Sequence, residues 1–185
     1  LVENLIRNVA KKIDALKIPF DNAEINLNKP FKKKKFTELL SNKLGVNVND
    51  VSEDQLKEIC KEKQIKVKQD ANIGQILDAL MGELVEPTLT EPTFVIDYPK
   101  VISPLAKMHR SGDPKLVERF ELFIGGDEFA NSFSELNDPI DQRKRLEEQS
   151  SFKKLGDEEA QNLDENFIQA MECGMPPTGG VGIGI

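Results

Sequence analysis

The sequence predicts an α+β fold: an antiparallel sheet flanked by helices and interrupted by a helical insertion. Three observations carry that reading. Two apolar-rich runs of strand length, residues 120–124 and 127–131, meet at Gly125-Gly126, a pair able to take the positive φ angles of a two-residue hairpin turn. Between Thr37 and Glu86 apolar residues recur at three- and four-residue spacing, the period of packed helices. The strand-like and helix-like runs follow an order that suits an antiparallel α+β sheet.

Taken in order, Val2, Leu5, Ile6, Val9, Ile13 and Leu16 predict an amphipathic opening helix that ends before Pro19. Residues 24–27 are a short strand candidate. The insertion spans 33–88 and contains Leu39 and Leu40, then Leu56, Ile59 and Cys60, then Ile73, Ile76, Leu77, Leu80, Met81 and Leu84. Ser52 with Gln55 forms a capping box, and Asn72 caps the third helix of this segment. These positions are core-forming. Residues 92–97 read as a strand, 99–112 as a loop and 118–135 as the hairpin. Asp138 caps a charged helix that Pro139 opens and that runs to about Lys154 before Gly156. Residues 164–173 form a last helix, closed by Gly174.

The hairpin carries the candidate chemistry. Its register pairs Ile124 with Asp127, Phe123 with Glu128 and Glu121 with Ala130, so Glu121 and Glu128 are diagonal neighbours on one face. Two bare carboxylates about 7 Å apart repel by about 2 kcal/mol at an effective dielectric near 20. A cation relieves that repulsion, and two hard oxygen ligands with a phosphate-bearing substrate make a partial cage for Mg²⁺. A solvated hairpin with ordinary surface acids fits the same spacing. Asn131, Phe133 and Glu135 alternate with Ser132 and Ser134 and suit a cationic amino acid. The amide bonds its carboxylate, the ring covers its methylenes, and the acid holds its ammonium. Strict alternation sets Glu128 on the opposite face from these three, so a shared pocket requires a β-bulge near Phe129 and Ala130. The carboxyl-terminal run 174–185 is crowded with glycine. Gly179, Gly180, Gly182 and Gly184 admit close approach of a flat ligand or another backbone, and a flexible apolar tail has the same composition.

Taken together, PTFVIDYPKVISPLAK (92–107), ERFELFIGGDEFANSFSELNDP (118–139), DENF (164–167) and GMPPTGGVGIGI (174–185) closely resemble the class II type of lysyl-tRNA synthetase. The resemblance runs over nearly the whole chain and is densest from Pro92 onward. It implies a partial class II catalytic domain over 1–185, in which Glu121 and Glu128 bind Mg²⁺ with ATP as co-substrate. It places Asn131, Phe133 and Glu135 in the lysine pocket, and Gly182 and Gly184 in the third class motif, whose backbone lies beside the ATP and lysine sites. In the family that motif continues into an Asp-Arg pair that this chain does not reach, so the chain is expected to be an inactive piece of a longer, homodimeric enzyme. Cys173 stands where the family commonly has an aromatic and Met171 where it has Leu. The implied reaction joins lysine to ATP and then to tRNA without a protein nucleophile; its catalysis is positioning and charge stabilisation.

Composition agrees with such a piece. A chain of 185 residues buries about 70% of its unfolded surface. A net charge of −7 argues against its being the main tRNA-gripping surface, which needs clustered Lys and Arg. The single basic run, Lys32 to Lys35, reads as a solvated stretch rather than a tRNA contact. The lone His109 reads as a surface residue, and Cys60 and Cys173 as reduced thiols without metal spacing. No secretory pattern and no apolar run of about 18 residues appears, so a cytoplasmic setting without membrane contact is expected. Two other readings fit part of the pattern. A paralogous ligase attaching a lysine-like residue to a translation factor would have a smaller residue at Phe133 and a reduced insertion. A noncatalytic binding domain would have no reason to keep the paired acids. Aspartyl and asparaginyl relatives fit poorly, because they need a cationic or amide-reading group where Glu135 stands.

Overall fold

The computed structural model of the protein describes residues 1–21, 23–154 and 161–184. The chain opens with α1 (Val2–Lys12), with Glu3 in its first turn and Lys11 and Lys12 in its last, as the helix dipole favours. Its apolar residues form two stripes. Val2, Ile6 and Ala10 pack inward, whereas Leu5, Val9 and Ile13 face outward, Val9 at 50% exposure. The helix stops short of Leu16 because Asp14 takes a left-handed φ of 55°. β1 (Lys17–Phe20), absent from the sequence reading, pairs antiparallel with β2 (Ala23–Asn26) in a separate two-stranded ribbon.

Among the described residues the main sheet has five strands in the order β3 (Lys32–Lys35), β4 (Thr93–Ile96), β5 (Arg119–Ile124), β6 (Asp127–Ser134), β7 (Gly179–Ile183). All neighbours run antiparallel except β3 and β4, which are parallel. The α+β class therefore holds, with one parallel pair at an edge. The basic run is that edge strand. All four lysines are exposed; Lys32 pairs with Glu91, Lys34 with Glu38 at 3.7 Å and Lys35 with Asp97 at 3.1 Å. Lysines along an edge strand discourage pairing with a second chain. The glycine-rich segment is likewise a strand and not a free tail, since β7 pairs with β6 from Ala130↔Ile183 to Ser134↔Gly179.

Between β3 and β4 stand α2 (Phe36–Leu44), α3 (Glu53–Glu62) and α4 (Ile73–Leu84). The helical segment begins at Phe36, because Lys33–Lys35 belong to the sheet. The Ser52–Gln55 capping box forms, and the Asn72 cap proves to be a second box with Gln75, each exchanging two hydrogen bonds. Phe36, Leu40, Leu56, Cys60, Ile76, Leu80 and Met81 join Val95, Tyr98, Val117 and Phe123 in one core against one face of the sheet. The other face, with Phe94, Leu122, Ile124 and Ala130, packs on α1 and the ribbon. The segment 99–112, read as loop, includes a short 3₁₀ turn at Lys100–Ile102 and is tied down by bridges Pro99↔Leu116, Ala106↔Glu135 and Met108↔Val117. α5 (Pro139–Lys154) and α6 (Glu165–Glu172) close the fold around Leu146, Ile168 and Met171. Asp164 accepts from the Phe167 amide at 3.0 Å, and Gly174 follows α6 at φ 119°. Gly156, expected to end α5, lies outside the described residues.

Leu80 is fully buried at the centre of the larger core. Leu80→Ala is expected to lower the unfolding free energy by about 2–5 kcal/mol, and Val9→Ala on the outward stripe to change it by no more than about 0.5 kcal/mol. Urea unfolding followed by circular dichroism measures both.

Candidate functional site

The β5–β6 hairpin turns at Gly125 (φ 70°) and Gly126 (φ 87°), the two positive angles that a tight hairpin needs. Their amides donate to Thr90 O and Leu89 O, which fastens the hairpin tip to the chain that follows α4. Ile124↔Asp127 and Phe123↔Glu128 pair as the sequence predicts. Beyond them Leu122 pairs with Ala130, so Phe129 has no partner on β5 and the expected bulge is present. Glu121 consequently faces Asn131 and not Ala130, a correction to the predicted register. With the extra residue absorbed, Arg119 and Glu121 of β5 share one face with Glu128, Asn131 and Phe133 of β6.

Glu121 is 7% exposed, and three donors meet its carboxylate. Tyr98 Oη donates to Oε2 at 2.6 Å; Arg119 Nη2 and, at 3.1 Å, Asn131 Nδ2 donate to Oε1. Arg119, which sequence reasoning missed, also donates from Nε to Asn131 Oδ1 at 3.2 Å. Its Nη1 donates to Ile102 O and Ser103 Oγ, both at 2.9 Å, and its guanidinium stacks 4.7 Å from the centre of the Tyr98 ring. The two acids are thus not bare, as the spacing alone implied: Arg119 offsets part of the charge. Its place two residues before Glu121, on the same strand face, was the one available signal.

A third acid was also missed. Glu86, in the short 3₁₀ turn Glu86–Thr88 after α4, is half-buried. Burial first, and then the charges of Glu121, Asp78 and Glu128, push its carboxyl up to about 7. Burial and Glu121 raise Glu128 as well, against the opposing pull of Arg119. Among the described residues no three acidic, histidine or cysteine side chains gather closely enough to hold a metal ion. The donor set still suits Mg²⁺, whose shell rarely comes wholly from protein: two carboxylates, with waters and phosphate oxygens completing it.

Further along the face, Phe133 pairs with Arg119 in register. Both line a cavity of about 390 Å³ with Asn72, Asp78, Ser103 and Gln149. A cavity of about 440 Å³ bounded by Phe36, Leu77 and Lys100 is lined by none of the predicted site residues. Glu135 follows β6 and is held by its amide, which donates to Thr178 O at 2.9 Å. Among the described residues nothing pairs with its carboxylate, and burial raises its pKa. That carboxylate lies against Gly180 of β7, where an added Cβ would overlap Oε1. Gly182 sits opposite Asn131, and the Gly184 amide donates to the carbonyl of the bulged Phe129 at 3.1 Å. His109 is less exposed than predicted: Nε2 lies 3.4 Å from Asp97 Oδ1, and Nδ1 contacts Ser111 Oγ at 2.8 Å.

The model of the class II tRNA synthetase family covering D, K and N matches residues 1–185. The chain is 48% identical over 187 residues to a lysine–tRNA ligase of Ureaplasma parvum serovar 3. It is 46% identical over 187 residues to those of Mycoplasmoides gallisepticum and Thermoanaerobacter pseudethanolicus. Each alignment takes in 100% of this chain but only 37–38% of the relative, so the chain spans under two fifths of the length of these relatives. No described helix is long and apolar enough to cross a membrane.

Tyr98 is the sole tyrosine, and the chain has no tryptophan. Burial, followed by the Glu121 charge and hydrogen bond, raises its pKa far above the ordinary value. The folded state keeps a proton that the unfolded chain releases near pH 10, so this contribution to stability is complete below about pH 10 and declines as pH rises beyond it. Tyrosinate absorbance is therefore expected to appear only together with loss of the circular dichroism signal, and Glu121→Gln to let it appear earlier. Ionisation of Tyr98 at its ordinary pH in a still-folded chain would disprove the buried Tyr98–Glu121 contact.

Proposed function

This chain belongs to the class II tRNA synthetases of the D, K and N group, and we propose that it is the part of a cytoplasmic, homodimeric lysine–tRNA ligase that holds lysine and the metal–ATP complex. The observation that carries the reading is Glu135: a carboxylate drawn partly out of water, unpaired among the described residues, beyond a face that presents Asn131 and Phe133. An unpaired acid in such a place costs free energy that an arriving ammonium offsets.

Lysine would lie along β6. The Asn131 amide meets its carboxylate end, Phe133 covers the methylenes, and Glu135 takes the ε-ammonium. The lysine carboxylate oxygen then bonds to the α-phosphorus of ATP as the bond to pyrophosphate breaks. A hydroxyl of the terminal tRNA ribose next attacks the lysyl carbonyl, and AMP leaves. Neither step needs a nucleophile from the chain, in keeping with a site of acids, an amide and glycines. Bound magnesium would screen phosphate charge, held by Glu121 and Glu128. Gly182 pairs with Asn131 in register, and the absence of side chains at Gly182 and Gly184 would let ATP approach the backbone of this edge.

In a full-length protein carrying this chain, ATP–pyrophosphate exchange is expected with lysine and not with arginine, ornithine or aspartate. Glu135→Gln is expected to raise the KM for lysine on the order of tenfold to a hundredfold, the value of one charged hydrogen bond. Glu128→Gln should chiefly raise the Mg²⁺ concentration required. Exchange driven equally by another amino acid, or wild-type behaviour of both variants, contradicts the assignment.

A further inference from the structure

We propose that Arg119 is a positioning residue that locks the amino-acid side of the site to its metal side. Its guanidinium reaches both at once, donating from Nε to Asn131 Oδ1 at 3.2 Å and from Nη2 to Glu121 Oε1. The first bond settles which way the Asn131 amide points. With Oδ1 turned to Arg119, Nδ2 donates to Glu121 Oε1 at 3.1 Å, and among the described residues its second hydrogen has no acceptor and is available for a ligand. A flipped amide would set its oxygen against the Glu121 carboxylate and repel a ligand carboxylate as well.

Arg119 is itself held on three sides. Nη1 donates to Ile102 O and Ser103 Oγ, and the guanidinium lies on the Tyr98 ring, whose hydroxyl bonds the second oxygen of Glu121. The fork is thus planted in the 3₁₀ turn Lys100–Ile102 and the residue after it, which pack on α4. Lysine cannot replace it. An ammonium has no planar fork to meet an amide oxygen, a carboxylate and a carbonyl in three fixed directions.

This inference rests on the lysine-pocket reading above, and a double-mutant cycle separates the two. Lysine dissociation constants are measured by calorimetry, without turnover, on the full-length protein with Arg119→Gln, Arg119→Lys, Asn131→Ala and the Arg119→Gln/Asn131→Ala pair. Each single variant is expected to weaken lysine binding on the order of tenfold or more. The pair should be scarcely weaker than Asn131→Ala alone, because Arg119 acts through that amide. Arg119→Gln should also raise the Mg²⁺ concentration for half-maximal exchange, and that rise should vanish in a Glu121→Gln background. Additive losses, or normal binding by Arg119→Lys, overturn the positioning role alone. A wild-type protein that binds no lysine overturns the pocket reading and this inference with it.

Discussion

Phe129 has no partner across the β5–β6 hairpin, and the side chains on either side of it share a face only for that reason. A strand alternates strictly, so without one extra residue Glu128 would point into the apolar layer that packs on α1 while Asn131 and Phe133 faced the other way. The bulge adds one step of phase. It brings Glu128 onto the face of Glu121, Asn131 and Phe133. Its carbonyl is not idle, since it accepts from the Gly184 amide and so ties β7 to the irregular point of β6.

Around that face the fold supplies both charge and restraint. The segment after α4 brings Glu86 toward the hairpin, and the amides of Gly125 and Gly126 bond the carbonyls of Thr90 and Leu89 just beyond it. Burial and the charges of Glu121, Asp78 and Glu128 raise the pKa of Glu86, burial and Glu121 raise that of Glu128, and Arg119 and Tyr98 hydrogen-bond Glu121. The helices between β3 and β4 therefore matter to the site although their own conspicuous residues are core. Leu80, Met81 and Ile76 pack on Tyr98, Val95 and Phe123, and that packing sets where the Tyr98 hydroxyl can stand.

What could be read from the residues alone follows from how far apart the interacting groups are in sequence. The glycine turn, the bulge and the capping boxes are local: each is decided by residues within about ten positions, and the bulge was demanded by a conflict of parity inside one hairpin. Arg119 was missed because its role depends on Ile102 and Ser103, sixteen or more residues away, which no periodicity links to it. β3 and β7 were missed for a related reason. A run of four lysines and a run of glycines have little strand propensity of their own, and each is extended because a neighbouring strand offers it a ladder. The outward stripe of α1 shows the converse, an apolar pattern wider than the surface available to cover it.

The account stands on the convergence of Glu121, Glu128 and Asn131 on one ligand-bearing face. Paramagnetic relaxation tests it most directly, with Mn²⁺ replacing Mg²⁺ in the full-length protein and ATP present. The carboxylate carbons of Glu121 and Glu128 and the side-chain amide of Asn131 are expected to broaden together. Broadening of Glu121 without Glu128, or of neither, would contradict a shared face and the function built upon it.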